Sequence, residues 1–249
     1  MTQRTLFITG ASRGIGAATA LRAAAFGWDL ALNYARDEAA AQVVAAQVRE
    51  LGRRALVLRG DVGIESDVLA MFAAIDAEFG ALHGLVNNAG VVDVAARVEA
   101  MSVERLTRMF NINVMGSIVC AREAVKRMST KHGGAGGVIV NLSSAAARLG
   151  APGQYVDYAS AKGAIDTFTL GLAREVALEG IRVNAVRPGI IQTDIHASGG
   201  QPERAAQMAP SVPMQRAGSA DEVAQAIVWL LSDASSYTTG TVVDVTGGR

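Results

Sequence analysis

The chain has 249 residues, half of them hydrophobic, and its 23 Lys and Arg balance 23 Asp and Glu to give a formal net charge of zero. This composition predicts a large buried core and excludes a strongly basic nucleic-acid-binding surface, and no apolar run approaches the roughly 20 residues of a membrane span. The single cysteine, Cys120, excludes an internal disulfide and predicts a cytoplasmic protein, while the scattered His83, His132 and His196 predict no metal site.

Short β-rich runs alternate with longer helical runs along the chain. The predicted strands are Thr5–Thr9, Asp29–Tyr34, Ala55–Arg59, Gly84–Asn87, Gly137–Leu142, Arg182–Arg187 and Thr241–Val245. The predicted helices are Ile15–Phe26, Ala39–Leu51, Ile64–Phe79, Ser102–Met128, Tyr155–Leu178 and Ala220–Leu231. The alternation predicts an α/β fold of βαβ units, with a parallel sheet and helices on both faces. No repeat or break in composition divides the chain, which predicts a single domain over residues 1–249.

A glycine pattern follows the first predicted strand. Gly10, Gly14 and Gly16 form a G-x-x-x-G-x-G sequence between a strand and a helix. Phosphate oxygens can approach the backbone where Cβ atoms are missing, and the start of a helix presents free N–H groups to them. The pattern therefore predicts a dinucleotide site. Because the spacing differs from G-x-G-x-x-G, a glycine turn without a ligand is the alternative.

The end of the second predicted strand bears on the choice between NAD and NADP. An NAD site carries an acidic residue there to bind the ribose 2′-hydroxyl, but the sequence Leu32–Arg36 contains none before Asp37. Arg36, together with Arg13 of the glycine loop, would instead flank a 2′-phosphate, since guanidinium groups match phosphate geometry. We predict NADP(H) over NAD(H), with two solvated arginines as the alternative.

Tyr158 lies fourteen residues beyond Ser144, and Lys162 lies four residues beyond Tyr158. On a helix this spacing brings both side chains to one face. Such a pair alone is common on helix surfaces. Next to a dinucleotide site, however, it suggests proton transfer coupled to hydride transfer at a carbonyl or alcohol carbon.

With these residues the chain resembles the short-chain dehydrogenase/reductase family over essentially its whole length. Further segments carry the resemblance: Asn87-Asn88-Ala89-Gly90 matches the family's NNAG segment, Asp61-Val62 its adenine-contacting pair, Asn113 its tetrad asparagine, and Pro188–Thr193 its P-G-x-x-x-T segment. Within the family the chain looks most similar to bacterial glucose 1-dehydrogenase-like and 3-oxoacyl-carrier-protein reductase-like members. The resemblance implies a Rossmann-type doubly wound sheet of seven parallel strands in the order 3-2-1-4-5-6-7.

The resemblance also implies a set of site residues. The catalytic residues would be Asn113, Ser144, Tyr158 and Lys162. The cofactor would be bound by Gly10, Ser12, Arg13, Gly14, Ile15, Gly16, Tyr34, Arg36, Asp61, Val62, Asn88, Ala89, Gly90, Tyr158, Lys162, Pro188, Gly189, Ile191 and Thr193.

The implied chemistry divides roles among four side chains. Tyr158 would act as the general acid or base, and the ammonium group of Lys162 would lower its pKa. Ser144 would orient the substrate oxygen, with Ser143 as the alternative at that position. Asn113 would hold a water that links Lys162 to solvent, or would merely cap or kink its helix.

A variable segment and the oligomeric state complete the expectations. Residues 194–212 are predicted to form a lid over the substrate, with His196 as a polar lid residue, or else an ordinary surface loop. Residues 145–148 and 154–155 are expected to form the opposite wall, where Arg148 is a candidate for meeting an anionic group.

The apolar faces of the helices Ser102–Met128 and Tyr155–Leu178, and the segment Asp244–Arg249, resemble those that assemble family tetramers, so we expect a homotetramer. The substrate is a small carbonyl or alcohol compound that the sequence does not identify. A dinucleotide sensor and an isomerase or dehydratase are the competing functions.

Overall fold

Seven parallel strands form the main sheet of the computed structural model, which describes residues 4–193, 195 and 199–249. They are β1 (Arg4–Ile8), β2 (Trp28–Tyr34), β3 (Ala55–Arg59), β4 (Gly84–Asn87), β5 (Gly137–Leu142), β6 (Ile181–Pro188) and β9 (Val242–Val245). Their order is β3-β2-β1-β4-β5-β6-β9. The strands β7 (Ile191–Gln192) and β8 (Gly218–Ser219) pair separately. The predicted order is confirmed, because β9 is the seventh strand of the main sheet.

Helices bounded within the described residues connect these strands. They are α1 (Gly14–Ala25), α2 (Glu38–Glu50), α3 (Glu65–Phe79), α4 (Val103–Phe110), α5 (Gly116–Met128), α6 (Ala146–Leu149), α7 (Val156–Val176), α8 (Arg204–Met208) and α9 (Ala220–Leu231). Among the helices that the structure describes, none is long and apolar enough to cross a membrane.

Both faces of the sheet are buried because successive strand side chains point to opposite sides. Leu6 and Ile8 of β1 lie in a core with residues of α1, α2 and α9. Phe7, between them, lies in a second core with residues of α3, α5 and α7, and packs edge-to-face on Phe72 with ring centroids 5.2 Å apart. All four side chains have no solvent exposure. Each stabilises the fold by about 1.5–3 kcal/mol relative to an exposed side chain. The two cores confirm the layered arrangement predicted from the strand pattern.

The predicted continuous helix over Ser102–Met128 is wrong in its interior. Residues Asn111–Met115 form a π-helical turn between α4 and α5. The side chain of Asn113 is fully buried there and donates a hydrogen bond to the carbonyl oxygen of Met109 at 3.0 Å. Insertion of a side chain into the main-chain hydrogen bonds is a known cause of such irregularity, and π-helical turns occur often at functional sites.

Short elements were missed by the sequence prediction. They are α6, α8 and the β7–β8 pair, each of two to five residues. Segments of this length are too short to show a hydrophobic period, so periodicity could not reveal them. Within the segment 194–212, Arg204–Met208 forms α8, and the role of this segment as a lid stays a prediction. Asp194 and His196 lie outside the described residues.

Candidate active site

A cleft of about 950 Å³ opens at the carboxyl ends of the central strands. It lies where the chain order changes between β1 and β4. In an open α/β sheet this is the position at which ligands bind, because the loops after neighbouring strands diverge there.

Almost all of the predicted cofactor residues line this cleft. They are Gly10, Ser12, Arg13, Gly14, Ile15, Tyr34, Arg36, Asp61, Val62, Asn88, Ala89, Gly90, Tyr158, Lys162, Pro188, Gly189, Ile191 and Thr193. Ser144 lines it as well, whereas Gly16 and Asn113 lie behind the surface. A Cβ at Gly16 would collide with the carbonyl oxygen of Gly10, so this glycine is required for packing of the loop.

The glycine loop adopts a backbone conformation that other residues rarely take. Gly10 and Gly14 have φ angles of 63° and 56°. A Cβ at Gly10 would come within 3.0 Å of the Cα of Ala89, and one at Gly14 would lie 3.4 Å from Thr193. The loop is therefore held close to the loops after β4 and β6, with its backbone open toward the cleft.

Asn33 organises this region, and the sequence analysis assigned it no role. Its side-chain oxygen accepts a hydrogen bond from the N–H of Gly10 at 3.0 Å, and its amide nitrogen donates to the carbonyl oxygen of Gly60 at 2.9 Å. Only 2% of the residue is exposed. The sequence could have predicted this role from an asparagine at the end of a predicted buried strand, because a buried amide must find hydrogen-bond partners.

Asn88 and Thr9 hold the glycine loop from the other side. The amide nitrogen of Asn88 donates to the carbonyl oxygens of Thr9 and Gly10 at 2.9 and 2.8 Å. The hydroxyl oxygen of Thr9 accepts from the N–H groups of Asn88 and Ala89, both at 3.0 Å. These bonds join the loop after β1 to the loop after β4.

The two arginines predicted to meet a 2′-phosphate are both exposed at one end of the cleft. Neither guanidinium group makes a hydrogen bond or ion pair within the part of the chain that the structure describes. Asp37 accepts a hydrogen bond from the N–H of Ala40 at 3.0 Å and thereby caps α2. The nearest carboxylate along the chain thus has a structural role at the helix start.

Lys162 and Tyr158 lie together on α7. The Lys162 ammonium group is 5.6 Å from the centroid of the Tyr158 ring and donates a hydrogen bond to the carbonyl oxygen of Leu142 at 2.7 Å. Lys162 is buried, and Tyr158 is partly exposed in the cleft. The start of α7 is fixed by Asp157, which accepts hydrogen bonds from Arg105 at 2.8 and 3.3 Å. This buried ion pair was also missed from sequence.

The pKa directions differ from the expectation for Tyr158. Burial raises the pKa of Tyr158, and a hydrogen bond with Ser144 acts in the opposite direction. Burial likewise lowers the pKa of Lys162 to about 8, opposed by the negative charge of Asp166. Both effects have one cause: a poorly solvated site disfavours the charged form of each group.

The two candidate serines differ in their surroundings. Ser143 is buried, and its hydroxyl donates to the carbonyl oxygen of Lys162 at 3.2 Å. Ser144 is partly exposed, and its hydroxyl oxygen accepts from the N–H of Ala146 at 3.1 Å. The hydroxyl hydrogen of Ser144 is thus the one better able to point into the cleft.

Asn113 contacts the backbone behind Lys162. Its side-chain oxygen accepts from the N–H of Val91 at 3.1 Å, and its nitrogen donates to the carbonyl oxygen of the same residue at 3.0 Å. A Cβ at Gly90 would lie 2.8 Å from this Asn113 oxygen and 3.6 Å from the Lys162 nitrogen. Asn113 and Lys162 therefore approach Gly90 together, and the absence of a side chain on Gly90 makes this possible.

The end of the cleft expected to hold the substrate has both apolar and polar lining residues. Ala145, Ala146, Gln154 and Tyr155 of the predicted wall line it, whereas Ala147 does not. Arg148 does not line it, because this side chain is exposed and donates to Asp244 at 2.7 Å. Among the described residues no three His, Cys, Asp or Glu side chains form a group that could hold a metal ion.

Comparison with known proteins gives full-length matches. A profile of the family described as "Enoyl-(Acyl carrier protein) reductase" matches residues 10–249. The chain is 54% identical over 242 residues to "Uncharacterized oxidoreductase YgfF" of Escherichia coli (strain K12), covering 97% of this chain and 98% of that protein. It is 34% identical over 245 residues to the 3-oxoacyl-acyl-carrier-protein reductase FabG of Staphylococcus aureus (strain Mu50 / ATCC 700699), covering 98% of this chain and 97% of that protein.

Solved structures agree with these matches. The crystal structure of levodione reductase superimposes with a TM-score of 0.92 at 33% identity, covering 100% of this chain and 98% of that chain. The similarity extends over the whole sheet and cleft described above.

Proposed function

The chain belongs to the short-chain dehydrogenase/reductase family and is an NAD(P)-dependent dehydrogenase or reductase, and from this premise we propose that it uses NADP(H) to interconvert a carbonyl compound and a secondary alcohol. The observation that carries the proposal is the presence of Tyr158, Lys162 and Ser144 in one cleft with the glycine loop. Fold similarity alone would leave the chemistry open, because one fold supports many functions.

Main-chain groups that line the cleft suit the binding of a dinucleotide. Gly10 and Gly14 present main-chain atoms without side chains at the start of α1, where N–H groups attract phosphate oxygens. Val62, buried beside the loop after β3, and Asp61 suit the adenine end. Thr193 lies next to Gly14 and, as in the family, is assigned to the nicotinamide carboxamide. A nicotinamide bound there supplies the hydride that reduces the substrate carbon.

Tyr158 is assigned the proton transfer. Since burial raises its pKa, the phenol holds its proton at neutral pH, which is the state that a general acid needs when a carbonyl is reduced. Ser144 is assigned the second hydrogen bond to the substrate oxygen, where negative charge develops. The two side chains already interact, so both can meet one oxygen atom.

Lys162 and Asn113 are assigned supporting roles. The positive charge of Lys162 stabilises the phenolate that Tyr158 becomes after giving up its proton. Both polar atoms of the Asn113 side chain bond the backbone of Val91. We therefore assign the Asn113 side chain to holding the π-helical turn in place behind Lys162, where a water would link Lys162 to solvent.

The NADP(H) preference is supported by Arg13 and Arg36. Dissociation constants for NADPH and NADH, measured by fluorescence titration, test it directly. We expect tighter NADPH binding in the wild type and a loss of about tenfold or more in NADPH affinity for Arg36→Ala, with NADH affinity unchanged. Tighter binding of NADH by the wild type would refute the preference.

The reaction class is tested by following NADPH oxidation and NADP⁺ reduction with sugars, ketones, diketones and acyl thioesters. Reduction of at least one carbonyl compound is expected. Loss of that activity in Tyr158→Phe would tie it to this cleft rather than to a contaminating enzyme.

We also propose a homotetramer in the cytoplasm. Support for the assembly comes from exposed apolar side chains on the two long helical segments. Val103 is 72% exposed, Met115 is 51% exposed and Leu170 is 40% exposed. Size-exclusion chromatography with light scattering should give a mass four times the 25.8 kDa of the chain. A monomer at micromolar concentration would contradict the assembly. The location stays a prediction from the single cysteine.

A further inference from the structure

Arg204, the first residue of α8, lies in a cluster of side chains at the substrate end of the cleft. Its guanidinium group is 5.2 Å from the centroid of the Tyr155 ring. It donates to the side-chain oxygen of Gln154 at 2.7 Å and to that of Gln201 at 2.8 Å. The Tyr155 hydroxyl donates to the same Gln201 oxygen at 3.2 Å. The cluster thus holds the cation in one orientation at the cleft wall.

The charge of Arg204 has no carboxylate partner among the residues that the structure describes. Both of its acceptors are neutral amide oxygens. A guanidinium group carries five N–H donors, and only two are engaged in this way. Its remaining donors make no hydrogen bond to a described residue, which leaves them open to a ligand.

Two other arginines of this region are paired with carboxylates. Arg108, which also lines the cleft, lies 3.7 Å from Asp93. The Arg148 side chain, once a candidate for an anionic group, lies 2.7 Å from Asp244. An acidic ligand group entering the substrate end would find these charges already balanced.

We propose that Arg204 determines substrate specificity and that the cleft takes aliphatic oxo acids, with the carboxylate bound to Arg204 and the carbonyl at Tyr158. The proposal rests on the proposed reductase function. A planar guanidinium binds a carboxylate through paired N–H···O bonds. The ring of Tyr155 and the two amide oxygens orient Arg204 before a ligand arrives, which reduces the entropy lost on binding.

Arg204 and Tyr158 are placed so that one ligand molecule can contact both. Tyr155 stands at the start of α7, three residues before Tyr158, so the cation and the proton donor share one wall of the cleft. Further lining residues are apolar and suit a hydrocarbon chain: Val92, Leu149, Ile190 and Met208.

The test compares acids with their uncharged esters. Aliphatic oxo acids of increasing chain length, each with its methyl ester, are reduced with NADPH by the wild type and by Arg204→Gln. We expect the wild type to prefer the acid at one or more chain lengths. Arg204→Gln should lower kcat/KM for that acid by about ten- to a hundredfold, the range for a lost hydrogen bond to a charged group, and leave the ester unchanged.

Two matched variants distinguish this role from a general effect of charge. Arg216→Gln removes an exposed arginine that pairs with Glu222 at 2.6 Å, and it should keep the acid preference. Arg249→Gln removes another arginine of the cleft lining and should keep it as well. Equal losses on acid and ester in Arg204→Gln would overturn the proposal, as would loss of the preference in Arg249→Gln alone.

Binding measurements without turnover distinguish a failure of this inference from a failure of the reductase proposal. Quenching of NADPH fluorescence reports binding of the same acids and esters without turnover. If no compound is reduced but acids bind selectively through Arg204, the reductase proposal fails and the assignment of Arg204 stands. If the wild type binds and reduces acid and ester equally well, the assignment of Arg204 fails and the reductase proposal stands.

Discussion

The two walls of the cleft are built in different ways. On the cofactor side, buried Asn33 and Thr9 bond main-chain groups of the loops after β1, β3 and β4. On the substrate side, the hydrogen bonds found between α8 and the start of α7 among the described residues are made by side chains, and Arg204 contacts Gln154 and Tyr155.

This difference indicates which wall tolerates sequence change. Main-chain groups cannot be substituted, and their buried partners cannot be removed without leaving unpaired donors or acceptors. Side-chain contacts at a partly exposed surface can be exchanged at small cost in stability. We therefore expect cofactor binding and stability to depend on the first wall and substrate choice on the second, and the following experiments test that separation.

The largest effect is expected for the proton donor. Tyr158→Phe removes the hydroxyl group and should lower the rate of carbonyl reduction by about a thousandfold or more. Loss of a general acid usually lowers a rate by about a hundred- to ten-thousandfold. NADPH affinity, measured by fluorescence, should stay near the wild-type value. A rate close to that of the wild type would rule out Tyr158 as the acid.

The buried ammonium group should make stability depend on pH. The pKa of Lys162 falls from 10.5 to about 8 on folding, so between these values the unfolded chain binds more protons than the folded chain. Stability should therefore rise as pH increases from about 8 to 10.5, by about 3 kcal/mol at most, because each pKa unit corresponds to 1.36 kcal/mol.

Urea unfolding of the cofactor-free wild type and of Lys162→Met at both ends of this pH range measures the effect. Only the wild-type value relative to the variant is compared, so that other titrating groups cancel. A constant difference across the range would show that Lys162 is not desolvated as described.

Removal of the Asn33 amide should cost about 2–3 kcal/mol of unfolding free energy. Asn33→Ala leaves the N–H of Gly10 and the carbonyl oxygen of Gly60 without this partner in a buried site. Asn33→Asp keeps the acceptor for Gly10 but turns a carboxylate oxygen toward the carbonyl oxygen of Gly60 in a buried site. At neutral pH this variant should be destabilised at least as much as Asn33→Ala, because a buried charge without a partner is costly, and both variants should bind NADPH more weakly than the wild type.

The smallest effect is expected on the substrate wall. Gln154→Ala removes one neutral acceptor from Arg204 and should change the unfolding free energy by less than about 1 kcal/mol, with no change in NADPH affinity. Destabilisation comparable to that of Asn33→Ala would mean that the two walls are equally integral to the fold.

The sequence by itself determined the strand and helix order. Near-continuous apolar strands and periodic helices set the layers, and predicted strands such as Ala55–Arg59 and Gly137–Leu142 agree with the structure at both ends. It also identified the residues of the glycine loop and the Tyr158–Lys162 pair as cleft residues, because their spacing along a turn or a helix is local.

Only the tertiary structure decided the features that depend on distant contacts. Asn33 meets Gly10 and Gly60 from loops that lie 23 and 27 residues away, and Asn113 of the π-helical turn bonds the main chain of Val91, which lies 22 residues away. Burial likewise raises the pKa of Tyr158, which is opposite to the direction expected from the neighbouring lysine. Local sequence patterns do not report desolvation or long-range hydrogen bonds, because both arise only when separate segments of the chain pack together.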